Sequence, residues 1–362
     1  MKRERPLRGL LRDLGESGFI EHVRRRFGGP VRPGELGIGD DAAVLPARGG
    51  KLVLTADMLL EGVHFDLRYF RPEEVGWRAL MANLSDLAAM GASPDCYLVS
   101  VAAPPDTPLA LLSGIFGGMA KAARPSGTRL MGGDTCRGER LALSLALVGR
   151  IRRGREIRRN GARPGDFLYL TGDPGWSFLG LRLLSRGRPK APRGWRRQAM
   201  RSHLTPVARL QEGIAAARSG AVSAMIDVSD GVLPDLRRML GESGGGALLD
   251  ERAFRLSKRF REAASSLGED PVSAFLAGGE DYELLMAVRS GRFAAFRRAA
   301  RSFPARVFPI GVVTGRPGIR VLRADGSWME DADLPVGFSH FPAPPSPGTG
   351  SRKGGREGQS RR

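Results

Sequence analysis

The sequence predicts an α/β protein with two domains. The chain has 362 residues, 41% of them hydrophobic, a length that suits about two domains of roughly 150 residues each. Candidate strands and helices alternate in both halves, and an arginine-rich stretch over 149–166 separates them. We therefore predict an N-terminal domain over 1–152 and a C-terminal domain over 153–341. A Pro/Gly/Ser-rich basic tail over 342–362 has no means of forming a core and is predicted to be disordered.

The predicted elements follow from apolar runs and their end signals. In the N-terminal half the strand candidates are KLVLTAD, CYLVSVAAP, TRLMGGD and LALSLALVGRI. The helix candidates are EEVGWRALMANLSDLAAMGASP, closed by Gly91 and Pro94, and TPLALLSGIFGGMAKAA, with Pro108 near its first turn. In the C-terminal half DFLYLTG, SAMID, YELLMAV and ARVFPIGVV are strand candidates, and GWSFLGLRLL, PVARLQEGIAAAR and GVLPDLRRML are helix candidates. Both halves are therefore α/β in content.

The charge and cysteine content limit the function classes. Lys and Arg outnumber Asp and Glu by 57 to 38, and the resulting net charge of +19 would suit a nucleic-acid-binding protein. The arginines are scattered without the basic and aromatic pattern that stacks bases, so a solvated surface is favoured and no specific nucleic-acid partner is expected. Cys96 and Cys136 are too few for a disulfide framework, and no apolar run reaches the roughly 18 residues of a membrane helix. We expect a cytoplasmic protein that does not enter a membrane.

Several aspartates follow strand candidates or glycine turns. Asp57 and Asp227 end predicted strands, Asp134 follows Gly132-Gly133, and Asp230 lies three residues after Asp227. Ligand sites collect at the ends of strands in α/β proteins, and glycines let the backbone approach a ligand closely. Taken singly, each of these aspartates is more simply a cap or turn residue.

Asp86 differs because its predicted helix is apolar on almost every side, so the helix is predicted to be buried. A buried carboxylate must be paired, protonated or metal-bound. If several aspartates converge, each like-charge pair at about 4 Å costs on the order of 4 kcal/mol at an effective dielectric near 20. Such a cluster needs cations, and Mg²⁺ suits it because Mg²⁺ prefers oxygen ligands shared between carboxylates and phosphates.

A series of short motifs resembles the motifs of thiamine-monophosphate kinases. In chain order they are LGIGDDAAVL, LTADMLLEGVHF, NLSDLAAMGASP, MGGDTCRG, NGARPGD, IDVSDGV, AGGEDYELL and GFSHF, which together span about 35–341. A single motif such as GGDT is weakly diagnostic, whereas the whole series in order is specific. The resemblance implies the two-domain fold shared with aminoimidazole-ribonucleotide and selenophosphate synthetases. It also implies a homodimer in which the N-terminal domains pair.

The resemblance assigns a role to each matching residue. It implies Mg²⁺ ligands at Asp41, Thr55, Asp57, Asp86, Asp134, Asp227 and Asp230, of which Asp41, Asp86, Asp134 and Asp227 are the expected catalytic residues. It implies ATP contacts at Gly133, Arg159 and Ser229, and a pocket for thiamine monophosphate lined by His64, Glu280 and Phe338. The implied reaction is the ATP-dependent phosphorylation of thiamine monophosphate to thiamine diphosphate, assisted by several Mg²⁺ ions, which completes thiamine diphosphate biosynthesis.

The chain departs from the family pattern at two positions in the matched region. Relatives commonly have two hydroxyl residues before the strand-end aspartate, where this chain has Thr55-Ala56, and Phe178 is bulkier than the small residue expected there. The remaining histidines, His22, His203 and His340, lie in polar or terminal contexts and are expected at the surface.

The sequence also allows three other interpretations to be considered. Another ATP-dependent synthetase on the same scaffold and a basic nucleic-acid-binding protein stay open. A dinucleotide-binding turn at Gly37-Ile38-Gly39 is disfavoured, because no clear strand precedes it and two carboxylates would face the pyrophosphate.

Overall fold

The computed structural model describes residues 11–152, 156–190 and 193–337. The described residues from 29 to 337 form one compact unit, and the helix α1 (Leu11–Phe27) belongs to a separate one. The larger unit contains two sheets with helices around them, so the predicted α/β class is confirmed. Among the described residues, no helix has the length and apolar character needed to cross a membrane.

The first sheet has five strands in the order β1-β2-β5-β3-β4. These are β1 (Ala43–Ala47), β2 (Gly50–Leu60), β3 (Ser93–Ala103), β4 (Arg129–Arg137) and β5 (Ala142–Ile151). The helices α2 (Pro72–Ala89) and α3 (Leu109–Ala123) connect its strands. Only β3 and β4 pair in parallel, and β4 forms an edge of the sheet.

The second sheet has seven strands in the order β12-β11-β8-β10-β6-β9-β7. These are β6 (Phe167–Thr171), β7 (Val222–Val228), β8 (Gly246–Asp250), β9 (Glu283–Val288), β10 (Val307–Thr314), β11 (Gly318–Leu322) and β12 (Trp328–Met329). Its helices are α4 (Trp176–Leu184), α5 (Gly194–Leu204), α6 (Leu210–Ser219), α7 (Val232–Ser243), α8 (Lys258–Leu267), α9 (Pro271–Ala277) and α10 (Phe293–Ala300).

The helix α2 lies at the centre of the compact unit. Pro72 starts it, and the Glu74 side chain accepts a hydrogen bond from the Arg71 N–H at 2.8 Å, so its first turn is capped. Two glycines allow neighbouring helices to approach its backbone. A Cβ on Gly76 would lie 1.8 Å from the Ile115 carbonyl oxygen in α3, and a Cβ on Gly213 in α6 would lie 2.0 Å from that of Ala88. The helix is therefore held between elements from both halves of the chain.

The strand register divides the first sheet into a buried and an exposed face. Asp57 pairs with Leu145, which pairs with Val99, and both of these partners are buried. The next row runs from Met58 through Ser144 and Ser100 to Asp134. Because residues directly opposite in a sheet share a face and successive residues alternate, Asp57 lies on the buried face and Asp134 on the other.

Two expectations about the strands are wrong in detail. β2 continues to Leu60, because its pairing with β5 extends to Ala142, so Asp57 lies inside a strand and not at its end. Asp134 likewise lies within β4 and not in a turn after it, since β4 pairs with β3 as far as Arg137.

Candidate metal and phosphate site

Three aspartates from distant parts of the chain meet in one place. Asp41 precedes β1, Asp86 lies in the last turns of α2, and Asp227 is the penultimate residue of β7. One carboxylate oxygen from each lies within 4.8 Å of the others. Three carboxylate oxygens this close together could share one hard divalent cation, which binds oxygen ligands.

Hydroxyl and amide side chains hold the aspartates in position. The Thr55 hydroxyl donates a hydrogen bond to Asp86, and the Ser85 hydroxyl donates one to Asp227 at 2.7 Å. Ser85 therefore joins α2 to the end of β7 across the two sheets. The Asn83 carbonyl oxygen accepts the Asp57 backbone N–H at 3.2 Å, which ties β2 to α2.

Burial and mutual repulsion oppose ionisation of the cluster. Burial first, and then the neighbouring charges of Asp57 and Asp227, raise the pKa of Asp86 well above its usual value. Burial followed by the charges of Asp41 and Asp235 does the same for the pKa of Asp227. The pKa of Asp57 is raised by burial and by the facing carboxylate of Asp230. Without a cation, the cluster therefore holds protons well above the pH at which aspartates normally release them.

Arg159 is the cation in contact with the Gly-Asp-Asp turn. Its Nη2 lies 2.6 Å from one oxygen of Asp41, and its backbone N–H points at the Asp40 carboxylate with N–O distances of 3.3 and 3.4 Å. Burial still raises the pKa of Asp41 despite this partner, and burial with the Asp41 charge raises that of Asp40 to about 7. The other Asp41 oxygen, Oδ2, is buried and has no hydrogen-bond partner among the described residues. This oxygen is available to a metal ion.

Asp235 shapes the loop that carries Ser229 and Asp230. Its Oδ2 accepts the backbone N–H groups of Ser229, Asp230 and Gly231 at 3.0, 3.0 and 3.2 Å. Arg238 in α7 contacts both Asp230 and Asp235, which links the loop to the helix that follows. Burial raises the pKa of Asp235 to about 7 in spite of the Arg238 charge.

Glu280 has the charges of Arg78, His203 and, more weakly, His64 around it. Burial alone would raise the pKa of Glu280, but the Arg78 guanidinium and smaller contributions from His203 and His64 lower it below its usual value. The Nδ1 of His64 accepts the Leu60 N–H at 3.0 Å, so this ring is fixed at the end of β2. Phe338, the third residue expected at the substrate, lies outside the described residues.

Gly133 and Asp134 are apart from the cluster. Both lie in the exposed strand β4, which the strands β5 and β3 separate from β2 in the sheet. A Cβ on Gly133 would lie 1.8 Å from the Val99 carbonyl oxygen, so only glycine fits at this position. Within one chain, Asp134 does not face the other aspartates. Ala56, where relatives commonly have a hydroxyl, is exposed on the same face as Asp134.

Sequence reasoning missed several residues of the site. His203 was expected at the surface, which is wrong: it is 2% exposed, and burial together with the Arg78 charge lowers its pKa to about 3. Arg78, Ser85 and Asp235 were not singled out. Ser85 and Asp235 could have been found from the sequence, since Ser85 lies within the NLSD motif and Asp235 lies shortly after the DVSDG motif. No sequence motif pointed to Arg78, because its hydrogen-bond and ion-pair partners, His203 and Glu280, are more than a hundred residues away in the chain.

Comparison with known proteins gives the family of this fold and site. Residues 39–151 match the AIR synthase related protein N-terminal domain, and residues 163–323 match the corresponding C-terminal domain. The chain therefore belongs to the AIR synthase related family. Its curated relatives include the thiamine-monophosphate kinases of Corynebacterium glutamicum, 35% identical over 75% of this chain and 81% of the relative, and Aquifex aeolicus, 31% identical over 91% and 99%. These matches confirm the resemblance to thiamine-monophosphate kinases.

Solved structures agree with the family assignment. The structure of AaThiL complexed with AMPPCP and TMP superposes with a TM-score of 0.80 at 31% identity, covering 93% of this chain and 100% of that one. Hydrogenase maturation protein HypE superposes with a TM-score of 0.66 at 20% identity, covering 81% of this chain and 92% of that one. The second likeness is one of fold alone.

Proposed function

We propose that this protein transfers the terminal phosphoryl group of ATP to thiamine monophosphate, giving thiamine diphosphate and ADP. The observation that carries the proposal is the convergence of Asp41, Asp86 and Asp227 from three separate segments. Relatives that share most of the chain are thiamine-monophosphate kinases, and a similar structure holds an ATP analogue together with TMP.

Mg²⁺ is the proposed cofactor. Asp41, Asp86 and Asp227 would hold it, with Thr55, Asp57 and Asp230 at the edges of the same cluster. The donor set is entirely oxygen, and the buried Asp41 Oδ2 lacks any other partner among the described residues, as a ligand for a hard cation would. When bound, Mg²⁺ would neutralise the facing polyphosphate anions and favour in-line transfer.

The residues present suit a reaction that needs no general base. A phosphate monoester has a second pKa near 6, so the acceptor phosphate is already a nucleophile at neutral pH. The cluster contains carboxylates and hydroxyls, and no histidine is among the three converging ligands. The aspartates would orient and screen the anions, and Arg159 beside Asp41 would exchange its carboxylate partner for a phosphate of ATP. Ser229 and Gly133 are the other proposed ATP contacts.

Thiamine monophosphate is placed next to the cluster in this proposal. His64, whose charge acts on the Glu280 carboxylate, Glu280 itself and Phe338 are the proposed contacts.

A homodimer is the proposed assembly, built on the exposed face of the first sheet. Met58, Leu98 and Met131 are 60%, 47% and 59% exposed there or on the edge strand β4, an unusual apolar surface for a free sheet. Pairing of two such sheets would bring Asp134 and Gly133 of one chain towards the other chain, which accounts for their separation from the aspartates of their own. The proposal keeps the domain division near residue 152, between the two sheets, and a cytoplasmic location.

The proposed reaction is tested by measuring ADP and thiamine diphosphate formation from ATP and thiamine monophosphate. We expect equal amounts of both products with Mg²⁺ and none with EDTA. A folded protein that forms no thiamine diphosphate in the presence of Mg²⁺ would contradict the substrate assignment and favour another acceptor for the same ATP-dependent scaffold.

The proposed dimer is tested with Met58→Asp, which places a charge on the exposed sheet face. We expect the wild type to sediment as a dimer and Met58→Asp as a monomer with at least tenfold lower activity, since buried unpaired charges strongly oppose association. Leu109→Asp is the matched control, because Leu109 is 80% exposed at the start of α3, away from that face. A monomeric wild type with full activity contradicts the proposal.

A further inference from the structure

Arg78 is a buried cation that the proposed reaction does not itself require. It lies in α2, eight residues before Asp86, and its side chain is 1% exposed. Its Nη1 donates to the His203 carbonyl oxygen in α5 at 2.6 Å, and its Nη2 forms an ion pair with Glu280. The guanidinium also lies over the Phe70 ring, 5.6 Å from the centroid. One side chain thus joins α2, α5 and the loop before β9.

The partner of Arg78 has a backbone conformation that needs external support. Glu280 has φ of 65° and Tyr282 has φ of 53°, values in the left-handed region that side chains other than glycine rarely adopt. The Glu280 N–H donates to the Ser229 carbonyl oxygen at 2.6 Å, and the Tyr282 N–H to that of Val228 at 2.9 Å. Such residues persist where surrounding contacts determine them, and they cluster at functional sites.

The contacts of Arg78 carry an unfavourable component. Its Nε is buried without a hydrogen-bond partner among the described residues, as is the Nε2 of His203 beside it. Buried ion pairs add little net stability compared with apolar residues of similar size. A network that leaves two buried nitrogens unsatisfied is therefore poorly explained by stability alone.

We propose that Arg78 is the positioning residue of the acceptor pocket, fixing the Glu280 carboxylate for the thiamine end of thiamine monophosphate. This inference rests on the proposed function. The guanidinium holds Glu280 ionised and oriented, so that the carboxylate meets the substrate as a preset hydrogen-bond acceptor. The side chain of Glu280 is 30% exposed and so is partly open to a ligand, whereas that of Arg78 is only 1% exposed.

Arginine is specifically suited to this position. Its planar head reaches a carbonyl, a carboxylate and a ring face at once, which the single nitrogen of lysine does not. His203 completes the arrangement: its Nδ1 lies 3.5 Å from Glu280 and 3.3 Å from the Ser177 hydroxyl. The carboxylate therefore has cationic and neutral partners on the side away from the open pocket.

The test compares Arg78→Lys and Arg78→Met with wild type, measuring kcat and the KM of each substrate. We expect KM for thiamine monophosphate to rise about tenfold or more in Arg78→Lys, as for a lost charge-assisted hydrogen bond, while KM for ATP stays within about threefold. Arg78→Met should raise the first KM further than Arg78→Lys. A smaller rise of the KM for thiamine monophosphate in Arg78→Lys than in Arg78→Met would indicate a positioning role and not a general loss of structure. If Arg78→Met fails to fold, Arg78→Lys still tests the inference, because it keeps the buried charge.

Arg209→Lys is the matched control. Arg209 also pairs with a buried glutamate, Glu283, at 2.6 Å, but outside the acceptor pocket, so this variant should lose stability without changing either KM. Equal rises of both KM values in Arg78→Lys, or no rise in either, overturn the inference while wild-type turnover stands. Absence of thiamine diphosphate formation by wild type overturns the proposed function instead, so the two failures are distinct.

Discussion

Asp86→Asn should lower kcat for phosphoryl transfer by about a thousandfold or more while leaving the protein folded. Asparagine keeps the shape of the side chain and an oxygen for the Thr55 hydroxyl, but not the charge that Mg²⁺ requires. Loss of a metal ligand removes several kcal/mol of transition-state stabilisation, and about 4 kcal/mol corresponds to a factor near one thousand. The measurement is the initial rate at saturating ATP, thiamine monophosphate and Mg²⁺, together with thermal unfolding.

Asp166→Asn provides the control for this result. Asp166 is also a buried aspartate, bonded to the Ser223 hydroxyl at the start of β7, whereas Asp227 lies near the other end of that strand. This variant should lose stability and keep its turnover. Near-normal turnover by Asp86→Asn, or equal losses in both variants, would refute the metal role of Asp86.

The sequence predicted the elements whose apolar pattern is strong. The α2 helix was predicted over 73–94 and found over Pro72–Ala89, and the strand predicted at 223–227 was found as β7 over Val222–Val228. The helix α5 was not predicted, because its sequence, GWRRQAMRSHL, is mostly polar and only one narrow face of the helix is buried. β8 and β11 were missed for another reason: each is five residues long and begins with glycine.

The sequence predicted which residues belong to the site but not how far apart their side chains lie. The motifs pointed to Asp41, Asp86 and Asp227, yet nothing in the order of residues states that one oxygen of each lies within 4.8 Å of the others. That spacing depends on the packing of α2 between two sheets. Likewise, the motif containing Asp134 does not reveal that this residue lies on the opposite sheet face from Asp57, because the face follows from strand register.

Three arginines of this basic chain pair with acidic residues around the site. Arg159, Arg238 and Arg78 each pair with an acidic residue of the proposed active site or its acceptor pocket, at Asp41, Asp230 and Glu280. Arginine suits such places because it stays charged when buried and reaches two acceptors at once. The charges of these three arginines are met by carboxylates within the protein, so these three do not argue for a nucleic-acid partner.

In EDTA, the metal-free wild type should lose stability relative to Asp86→Asn as the pH rises from about 4 to 8. The pKa values of Asp86 and Asp227 are raised in the folded protein by burial and then by neighbouring carboxylates. A group whose folded pKa lies above its unfolded value near 3.9 stabilises the fold fully below that pH, and the contribution is lost as the pH rises through the folded pKa. Each unit of such a shift corresponds to about 1.4 kcal/mol.

Mg²⁺ should reverse this loss, because it binds the ionised cluster of the folded protein and not the unfolded chain. We expect Mg²⁺ to raise the unfolding temperature of wild type strongly at pH 8 and little at pH 5, where protons compete for the carboxylates. Asp86→Asn should be the more stable protein in EDTA at pH 8 and should respond weakly to Mg²⁺. Every titrating group other than Asp86 is common to both proteins, so the difference between their unfolding free energies reports the cluster. A wild type that gains stability relative to Asp86→Asn between pH 5 and 8 in EDTA would show that these carboxylates do not repel one another in the folded protein.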